Sequence, residues 1–248
     1  MAAHASFPKK RGLNPDDAMK KLWQAALPGP AVRTGQSSKE ETTTVAQLSL
    51  DIESVKGFLD PEEGNALYQY ALEASQAAPC FEIGAYCGKS TVYMGSACRE
   101  RGGVLYSLDH HRGSEEHQPG EAYHDADLLD QESGIFDSFR EFRRTLSRAG
   151  LEETVVPIVA SSEIAGRGWV TPLSMVFIDG GHSYESALCD YRTWSGHIVQ
   201  GGFLVIHDIF PDPEEGGQAP FDIWKKALAS ALFEEVEIVQ TLGILRRV

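Results

Sequence analysis

Short apolar runs alternate with helical patterns through most of this chain, and this alternation restricts its fold more than any other feature. The runs of strand length are Cys80–Ile83, Val104–Leu108, Val155–Val159, Met175–Ile178 and Phe203–Ile206. The helical patterns between them are Lys89–Arg99, Phe136–Ala149 and Tyr184–Val199. An alternation of this kind predicts an α/β fold, in which a parallel sheet carries helices on both faces.

The segments on either side of this region extend the same fold. Asp60-Pro61-Glu62-Glu63 predicts the start of a helix, because it combines a capping residue, a proline in the first turn and acids at the positive end of the helix. After the last run, Phe221–Leu232 predicts a helix. Val236–Val239 and Leu242–Leu245 then predict a terminal hairpin.

Composition excludes several classes of protein. The chain has 248 residues, of which 42% are hydrophobic and 23% charged, so it is not disordered throughout. Its net charge of −14 argues against binding to nucleic acid. The four cysteines form no CxxC pair, no apolar run is long enough to span a membrane, and the opening MAAHASFPKKRG lacks a signal-peptide core. We therefore expect a cytoplasmic enzyme.

The first 48 residues differ from the rest and predict a helical arm and linker before a domain at residues 49–248. Asn14-Pro15-Asp16-Asp17 predicts a helix start, and Met19, Leu22, Trp23 and Ala26 then give that helix one apolar face. The polar stretch at residues 36–44 is typical of a linker or loop. Three interpretations remain open: the arm covers a site, packs on a partner subunit, or is frayed.

Polar residues follow the predicted strands at the points where they end. The sets are Glu82, Asp109-His110, Ser161-Ser162, Asp179 and His207-Asp208. In a parallel α/β sheet, ligands bind outside the carboxyl ends of the strands. We therefore expect these side chains to share one site.

The turn after the first predicted strand contains Gly84, Gly88 and Ser90, and its spacing distinguishes three classes of site. It lacks the G-x-G-x-x-G pattern of dinucleotide-binding folds. Gly88-Lys89-Ser90 ends like a P-loop, but the first glycine stands one residue too late. The segment from Glu82 to Ser90 does match E-x-G-x-x-x-G-x-S. A turn without a ligand remains the alternative reading.

Residues 81–94 resemble the first motif of class I S-adenosylmethionine-dependent methyltransferases, especially the catechol O-methyltransferase-like branch. Residues 177–185 (FIDGGHSYE), Asp190–Trp194, and Gly201-Gly202 to His207-Asp208 are similar to the antibiotic and sugar O-methyltransferase branches. The resemblance covers residues 57–248. It implies a Rossmann-like, doubly wound, mostly parallel seven-stranded sheet with an antiparallel C-terminal hairpin strand.

The same resemblance implies how the cofactor is bound. The methionine end would lie on the glycine turn, and Asp109 with His110 would hold the ribose through a carboxylate that accepts two hydroxyls. Ser161 and Ser162 would replace an acid that the family often uses for adenine, and Asp179 would border the cofactor. The turn residues implied are Glu82, Gly84, Ala85, Tyr86, Gly88 and Ser90.

The resemblance also implies two catalytic histidines and a metal site. His182 stands where the catechol-like branch has a lysine base, so it would take the proton of an acceptor hydroxyl. Asp179 and Asp208 would hold Mg²⁺ or Mn²⁺, with His207 either a further ligand or a second catalytic group. The alternative is that Asp208 and His207 only orient each other or line the pocket.

We therefore expect methyl transfer from S-adenosylmethionine to a hydroxyl of a small molecule, catalysed by a homodimer. A nitrogen acceptor remains open. The alternative functions are a P-loop-like nucleotide-binding protein and a non-catalytic S-adenosylmethionine-binding protein. The long polar segment at residues 110–134 carries four histidines, His110, His111, His117 and His124. It predicts a substrate lid, a second metal site or a solvated loop.

Overall fold

The computed structural model describes residues 46–114, 125–130 and 132–248. The predicted helix and linker of the N-terminal arm lie outside these residues, as do His117 and His124. The division into an arm at residues 1–48 and a domain at 49–248 therefore stays a prediction.

In the described residues, seven strands form one sheet in the order β3-β2-β1-β4-β5-β7-β6. β1 to β5 are parallel, whereas β7 is antiparallel to both β5 and β6. The predicted doubly wound sheet with an antiparallel C-terminal hairpin is confirmed. The strands are β1 Cys80–Ile83, β2 Leu105–Leu108, β3 Val155–Ile158, β4 Leu173–Ile178, β5 Ile198–Ile206, β6 Phe233–Val239 and β7 Leu242–Arg247.

The helices alternate with the parallel strands along the described chain. The α-helices are α1 Pro61–Ala74, α2 Lys89–Glu100, α3 Phe139–Ala149, α4 Ser162–Ala165, α5 Tyr184–Trp194 and α6 Ala219–Ala229. Short 3₁₀ helices are Ile52–Ser54, Ala126–Leu128 and Ser195–His197. None of the helices in these three ranges of residues is long and apolar enough to cross a membrane.

A capping box explains why α1 begins where the sequence predicts. The Asp60 carboxylate accepts a hydrogen bond from the backbone N–H of Glu62 at 2.7 Å, and the Glu63 carboxylate accepts one from the backbone N–H of Asp60 at 3.3 Å. Pro61 occupies the first turn, where its missing N–H costs nothing. Glu63 is nevertheless buried, which a capping role alone does not require.

Two apolar layers cover the two faces of the sheet. On one face, residues of α1, α2 and α3 such as Leu67, Val92 and Phe142 are buried in one cluster. On the other face, Trp194 of α5 and Trp224 of α6 belong to a second cluster. The sheet is therefore covered on both sides, and only the ends of its strands remain for a ligand.

Several predicted boundaries are wrong, since Phe136 bridges Leu129 ahead of α3 and the predicted helix Tyr184–Val199 extends too far. The α-helix ends at Trp194, a 3₁₀ turn follows, and β5 begins at Ile198, which pairs with Leu173 of β4. Ile198 and Val199 are apolar residues at positions that fit the helical period as well as a strand. The choice between the two depends on pairing with β4, a contact distant in sequence.

Candidate active site

A cavity of about 640 Å³ lies at the carboxyl ends of the parallel strands. Its volume is typical of a small-molecule site. Most of the predicted site residues line it, namely Gly84, Ala85, Tyr86, Ser90, Asp109, His110, Ser161, Ser162, Asp179, His182, His207 and Asp208. The structure thus brings together residues that are up to about half the chain apart in sequence.

Gly84 allows the turn after β1 to contact the end of β4. Its φ is +91°, and a Cβ built on it would lie 1.9 Å from the backbone oxygen of Asp179. A side chain cannot be placed there, for reasons of both conformation and space. Gly88 also has a positive φ, +93°, and begins α2 as its capping residue. Gly88 itself does not line the cavity.

Glu82 lies behind the cavity wall. Its carboxylate is fully buried and accepts hydrogen bonds from the hydroxyls of Ser90 at 3.1 Å, Ser107 at 2.6 Å and Thr91. Burial raises the pKa of Glu82 to about 7, although these three hydroxyls oppose the shift. The sequence predicts Glu82 as a cofactor-binding residue, but Glu82 does not line the cavity. It hydrogen-bonds Ser90, which does line the cavity.

Asp109 ends β2 with its carboxylate at the cavity. One oxygen accepts the backbone N–H of Tyr86 at 2.8 Å, and the other accepts that of His111 at 2.7 Å. Each carboxylate oxygen can accept a further hydrogen bond, so the group can bind two ligand hydroxyls while it stays fixed. The ribose contact of Asp109 stays a prediction, and this geometry leaves the carboxylate able to make it.

His111 anchors the segment after β2. Its ring is buried, lies 2.8 Å from the Ser138 hydroxyl through Nδ1, and contacts the rings of Phe139 and Phe142. Burial lowers its pKa, which favours the neutral ring. His111 is therefore a packing residue, whereas His110 faces the cavity.

His207 lies between two carboxylates at the end of β5. Its Nδ1 is 3.0 Å from Asp179 Oδ1, and its Nε2 is 3.0 Å from Glu63 Oε2. Carboxylates accept hydrogen bonds, so both ring nitrogens donate. Burial lowers the pKa of His207, but the two carboxylates outweigh burial and raise it to about 11. The ring is a cation with both nitrogens engaged, which does not suit the predicted proton acceptor or metal ligand.

Asp179, His182 and Asp208 lie close together in the cavity wall. His182 Nε2 lies 2.9 Å from Asp208 Oδ2. Burial raises the pKa of Asp208, but the hydrogen bond from His182 and the charge of His207 outweigh it and lower the pKa below its usual value. Asp208 is therefore a carboxylate near neutral pH. Its φ of +59° is unusual for a residue with a side chain.

The same three residues fit a divalent cation. Each offers one ligand atom, and these atoms lie within 4.8 Å of one another. Two carboxylate oxygens and an imidazole nitrogen suit Mn²⁺, Fe²⁺ or Zn²⁺ better than Mg²⁺, which prefers oxygen. The sequence suggested His207 as the histidine ligand, but the geometry places His182 in that position.

Two contributors to the site, Glu63 and Asp190, were missed by the sequence analysis as functional residues. Glu63 holds His207 from α1, and Asp190 lines the cavity from α5. Both belong to helices that reach the site by packing and not to strand ends. In the sequence, Glu63 lies in the first turn of a predicted helix, where an acid is explained by capping. Asp190 belongs to the segment Asp190–Trp194, which carries the family resemblance but predicts no role for the acid.

A sheet of this order defines a doubly wound α/β protein, and its switch in strand order lies between β1 and β4. Proteins of this class bind ligands at the switch point, outside the carboxyl ends of the strands. A family model described as "Methyltransferase domain" matches residues 81–209, which is more than half of the chain. The chain therefore belongs to this methyltransferase family, and the predicted enzyme class is confirmed.

Solved structures share the fold at low sequence identity. A cofactor-bound protein from MTB, Rv0187, is 16% identical, with 96% of this chain and 91% of that chain covered and a TM-score of 0.54. The O-methyltransferase TomG from Streptomyces achromogenes, in complex with SAM, is 17% identical over 77% and 81% of the two chains, with a TM-score of 0.53.

An O-methyltransferase from Bacillus cereus, in complex with SAH, gives a similar result. It is 15% identical, the match covers 77% of this chain and 82% of that chain, and the TM-score is 0.54. At such low sequence identities, the TM-scores show that the fold is shared. The predicted Rossmann-like architecture is confirmed.

Proposed function

We propose that this protein transfers a methyl group from S-adenosylmethionine to a hydroxyl of a small molecule. The observation that carries the proposal is that one cavity contains both the fixed Asp109 carboxylate and the cluster of Asp179, His182 and Asp208. The first suits a ribose diol, and the second suits an acceptor hydroxyl. The SAM and SAH complexes of the TomG and Bacillus cereus proteins support the choice of cofactor.

The proposed cofactor position follows from the order of these groups along the cavity. Its methionine end would lie on the turn of Gly84 and Ser90, near the N-terminus of α2, which favours a carboxylate. The ribose would lie on Asp109 and the adenine toward Ser161 and Ser162. The sulfonium methyl would then face His182.

In the proposed reaction, His182 receives the proton of the acceptor hydroxyl. Asp208 accepts a hydrogen bond from Nε2 of His182 and so favours the tautomer whose proton acceptor is Nδ1. The hydroxyl O–H bond breaks and its proton moves to Nδ1. The oxygen forms a bond to the methyl carbon as the carbon–sulfur bond breaks, giving a methyl ether and S-adenosylhomocysteine. Alignment of the two reactants supplies much of the rate enhancement.

A divalent cation at Asp179, His182 and Asp208 is an alternative proposal for the same cluster, because a His182 ring whose lone pair binds a metal cannot also accept the proton. Such an ion would stabilise a developing alkoxide as a Lewis acid. Mn²⁺ fits the donors better than Mg²⁺. His207 would hold Asp179 in position with or without the ion, because it donates to the Asp179 Oδ1 atom.

We further propose a cytoplasmic homodimer that acts on small molecules and not on nucleic acid. The net charge of −14 supports the last point, since a strongly acidic protein repels phosphate backbones. Two-fold dimers are the commonest symmetric assemblies.

Calorimetric titration of the full chain with S-adenosylmethionine, S-adenosylhomocysteine and ATP tests the proposed cofactor. We expect micromolar binding of the first two and none of ATP. Asp109→Ala should weaken binding at least about tenfold, because a buried diol loses its charged acceptor. Asp222→Asn is the matched control, because this half-exposed acid of α6 pairs with Lys225 and does not line the cavity. Preference for ATP would reject the proposal, and binding without turnover on any hydroxylated acceptor would favour a non-catalytic binder.

The same titration with Mn²⁺ and Mg²⁺ tests the metal site. We expect Mn²⁺ to bind more tightly than Mg²⁺ and Asp208→Asn to abolish the binding of both. Full turnover in the presence of a strong chelator would instead assign the cluster to proton transfer alone.

A further inference from the structure

Asp190 is a buried acid that faces the cavity from the side of the sheet covered by α5. It is only 5% exposed, yet it lines the cavity. The neighbouring buried residues of α5, Ala187, Tyr191 and Trp194, belong to the apolar cluster on that face. A carboxylate at such a position is costly unless it has hydrogen-bonding partners.

The chain provides Asp190 with one side-chain partner and with space. Ser162 hydrogen-bonds its carboxylate, and the Ser162 hydroxyl is itself held by Trp194, whose indole N–H donates at 3.0 Å. A Cβ built on Gly180 would lie 2.6 Å from Asp190 Oδ2, so the glycine leaves room for the carboxylate. A carboxylate can accept about four hydrogen bonds, so capacity remains for a ligand.

The surroundings of Asp190 indicate which part of a ligand it meets. The apolar residues Ile83, Leu108 and Ala160 line the same cavity, as a flat ring system requires. His110 is close enough for its charge to lower the pKa of Asp190. Because His110 directly follows Asp109, a base attached to a ribose on Asp109 would enter the space between His110 and Asp190.

We propose that the Asp190 carboxylate accepts a hydrogen bond from the exocyclic amine of the cofactor's adenine and so selects adenine over hypoxanthine. This inference rests on the proposed function. Adenine presents an amine donor at this edge, whereas hypoxanthine presents a carbonyl oxygen that a carboxylate repels. Ser162 hydrogen-bonds the Asp190 carboxylate and so positions it.

The test compares S-adenosylhomocysteine with S-inosylhomocysteine, its deaminated analogue, by calorimetry at pH 8. Burial raises the pKa of Asp190 to about 6, so the carboxylate is ionised at this pH and accepts only. We expect the unmodified protein to bind the adenine ligand at least about tenfold more tightly, since a mismatched buried polar group is costly. A ratio near one in the unmodified protein overturns the proposal without any variant.

The variant Asp190→Asn is the second comparison. Its side-chain amide can accept from the adenine amine and can also donate to the hypoxanthine carbonyl. We expect the ratio of affinities to fall to within about threefold, while Asp222→Asn keeps the original ratio. If Asp190→Asn weakens both ligands equally and the ratio persists, Asp190 is structural and the proposal is wrong. If the unmodified protein binds neither ligand, the proposed function itself fails, which is a different result from a lost preference.

Discussion

His207 donates one ring N–H to Asp179 and the other to Glu63, at 3.0 Å in each case. Glu63 also accepts the backbone N–H of Thr241 at 2.9 Å and its hydroxyl at 2.7 Å. The buried pair of His207 and Glu63 therefore joins α1, the ends of β4 and β5, and the turn between β6 and β7. The position of Asp179 in the cavity depends on a glutamate from outside the strand-end motifs.

Replacing Glu63 tests this ionic connection. Glu63→Gln keeps an acceptor oxygen but removes the negative charge opposite the buried His207 cation. We expect the free energy of unfolding at pH 7 to fall by about 3 kcal/mol, the low end for a broken buried pair, because the His207 cation keeps Asp179 but loses its second carboxylate. Urea denaturation measures this. Glu62→Gln, one residue earlier on the exposed side of α1, is the control, and equal stability of the two variants would contradict the prediction.

Glu82 predicts a pH dependence of stability. Its pKa in the folded protein is about 7, against an ordinary value of 4.5. Between these values the folded state keeps a proton that the unfolded state has lost. The free energy of unfolding therefore falls as pH rises, by up to about 1.4 kcal/mol per pH unit, and levels off above pH 7.

Glu82→Gln removes this dependence. The amide oxygen can still accept from Thr91 and Ser107, and the amide NH₂ can donate to the Ser90 hydroxyl, so folding is preserved. We expect a smaller decline between pH 4.5 and 7 in denaturant titrations of the variant. An identical pH profile in the two proteins would show that Glu82 is ionised throughout.

A pair of alanine substitutions separates crowding at Gly84 from backbone strain. Gly84 and Gly102 both have positive φ, but a Cβ at Gly84 would strike the backbone of Asp179, whereas nothing lies within 4 Å of one at Gly102. We expect Gly102→Ala to cost about 1 kcal/mol and Gly84→Ala at least about 3 kcal/mol. Thermal unfolding measures both, and similar midpoints would refute the close contact.

His182→Gln tests the proposed proton acceptor. We expect kcat for methyl transfer to fall by about 10²- to 10⁴-fold, while the affinity for S-adenosylmethionine stays within about twofold. His197→Gln, in the 3₁₀ turn after α5, is a matched control outside the cavity. Unchanged turnover in His182→Gln would assign the proton to another group.

The sequence predicted the strand ends of the site well, because the acids there directly follow an apolar run or stand one residue further on. Asp109, Asp179 and Asp208 are at the cavity for this reason. The order of the motifs along the chain was also sufficient to predict the methyltransferase family and the topology of the sheet. The start of β5 at Ile198 was not predicted, because the first residue of a strand and its register depend on the partner strand, here β4.

The roles of the two histidines could not be separated from sequence. His182 follows Asp179 by three residues and His207 directly precedes Asp208, so both histidines have an acid nearby in the chain. Their different tasks arise from Glu63, which engages the second nitrogen of His207 and comes from 144 residues away. Asp190 was missed for the same reason, because helix packing brings it beside Gly180 and Ser162. No pattern in the neighbouring sequence predicts contacts between residues so far apart in the chain.

The position of β7 has a consequence for biosynthesis. β7 follows β6 in the chain but lies between β5 and β6 in the sheet, and in the described residues β6 pairs with β7 alone. A nascent chain that has emerged from the ribosome only as far as Val239 has no strand to dock β6, and the edge of β5 remains unpaired. The parallel half of the sheet can form during translation, but this edge closes only after Arg247 has left the exit tunnel.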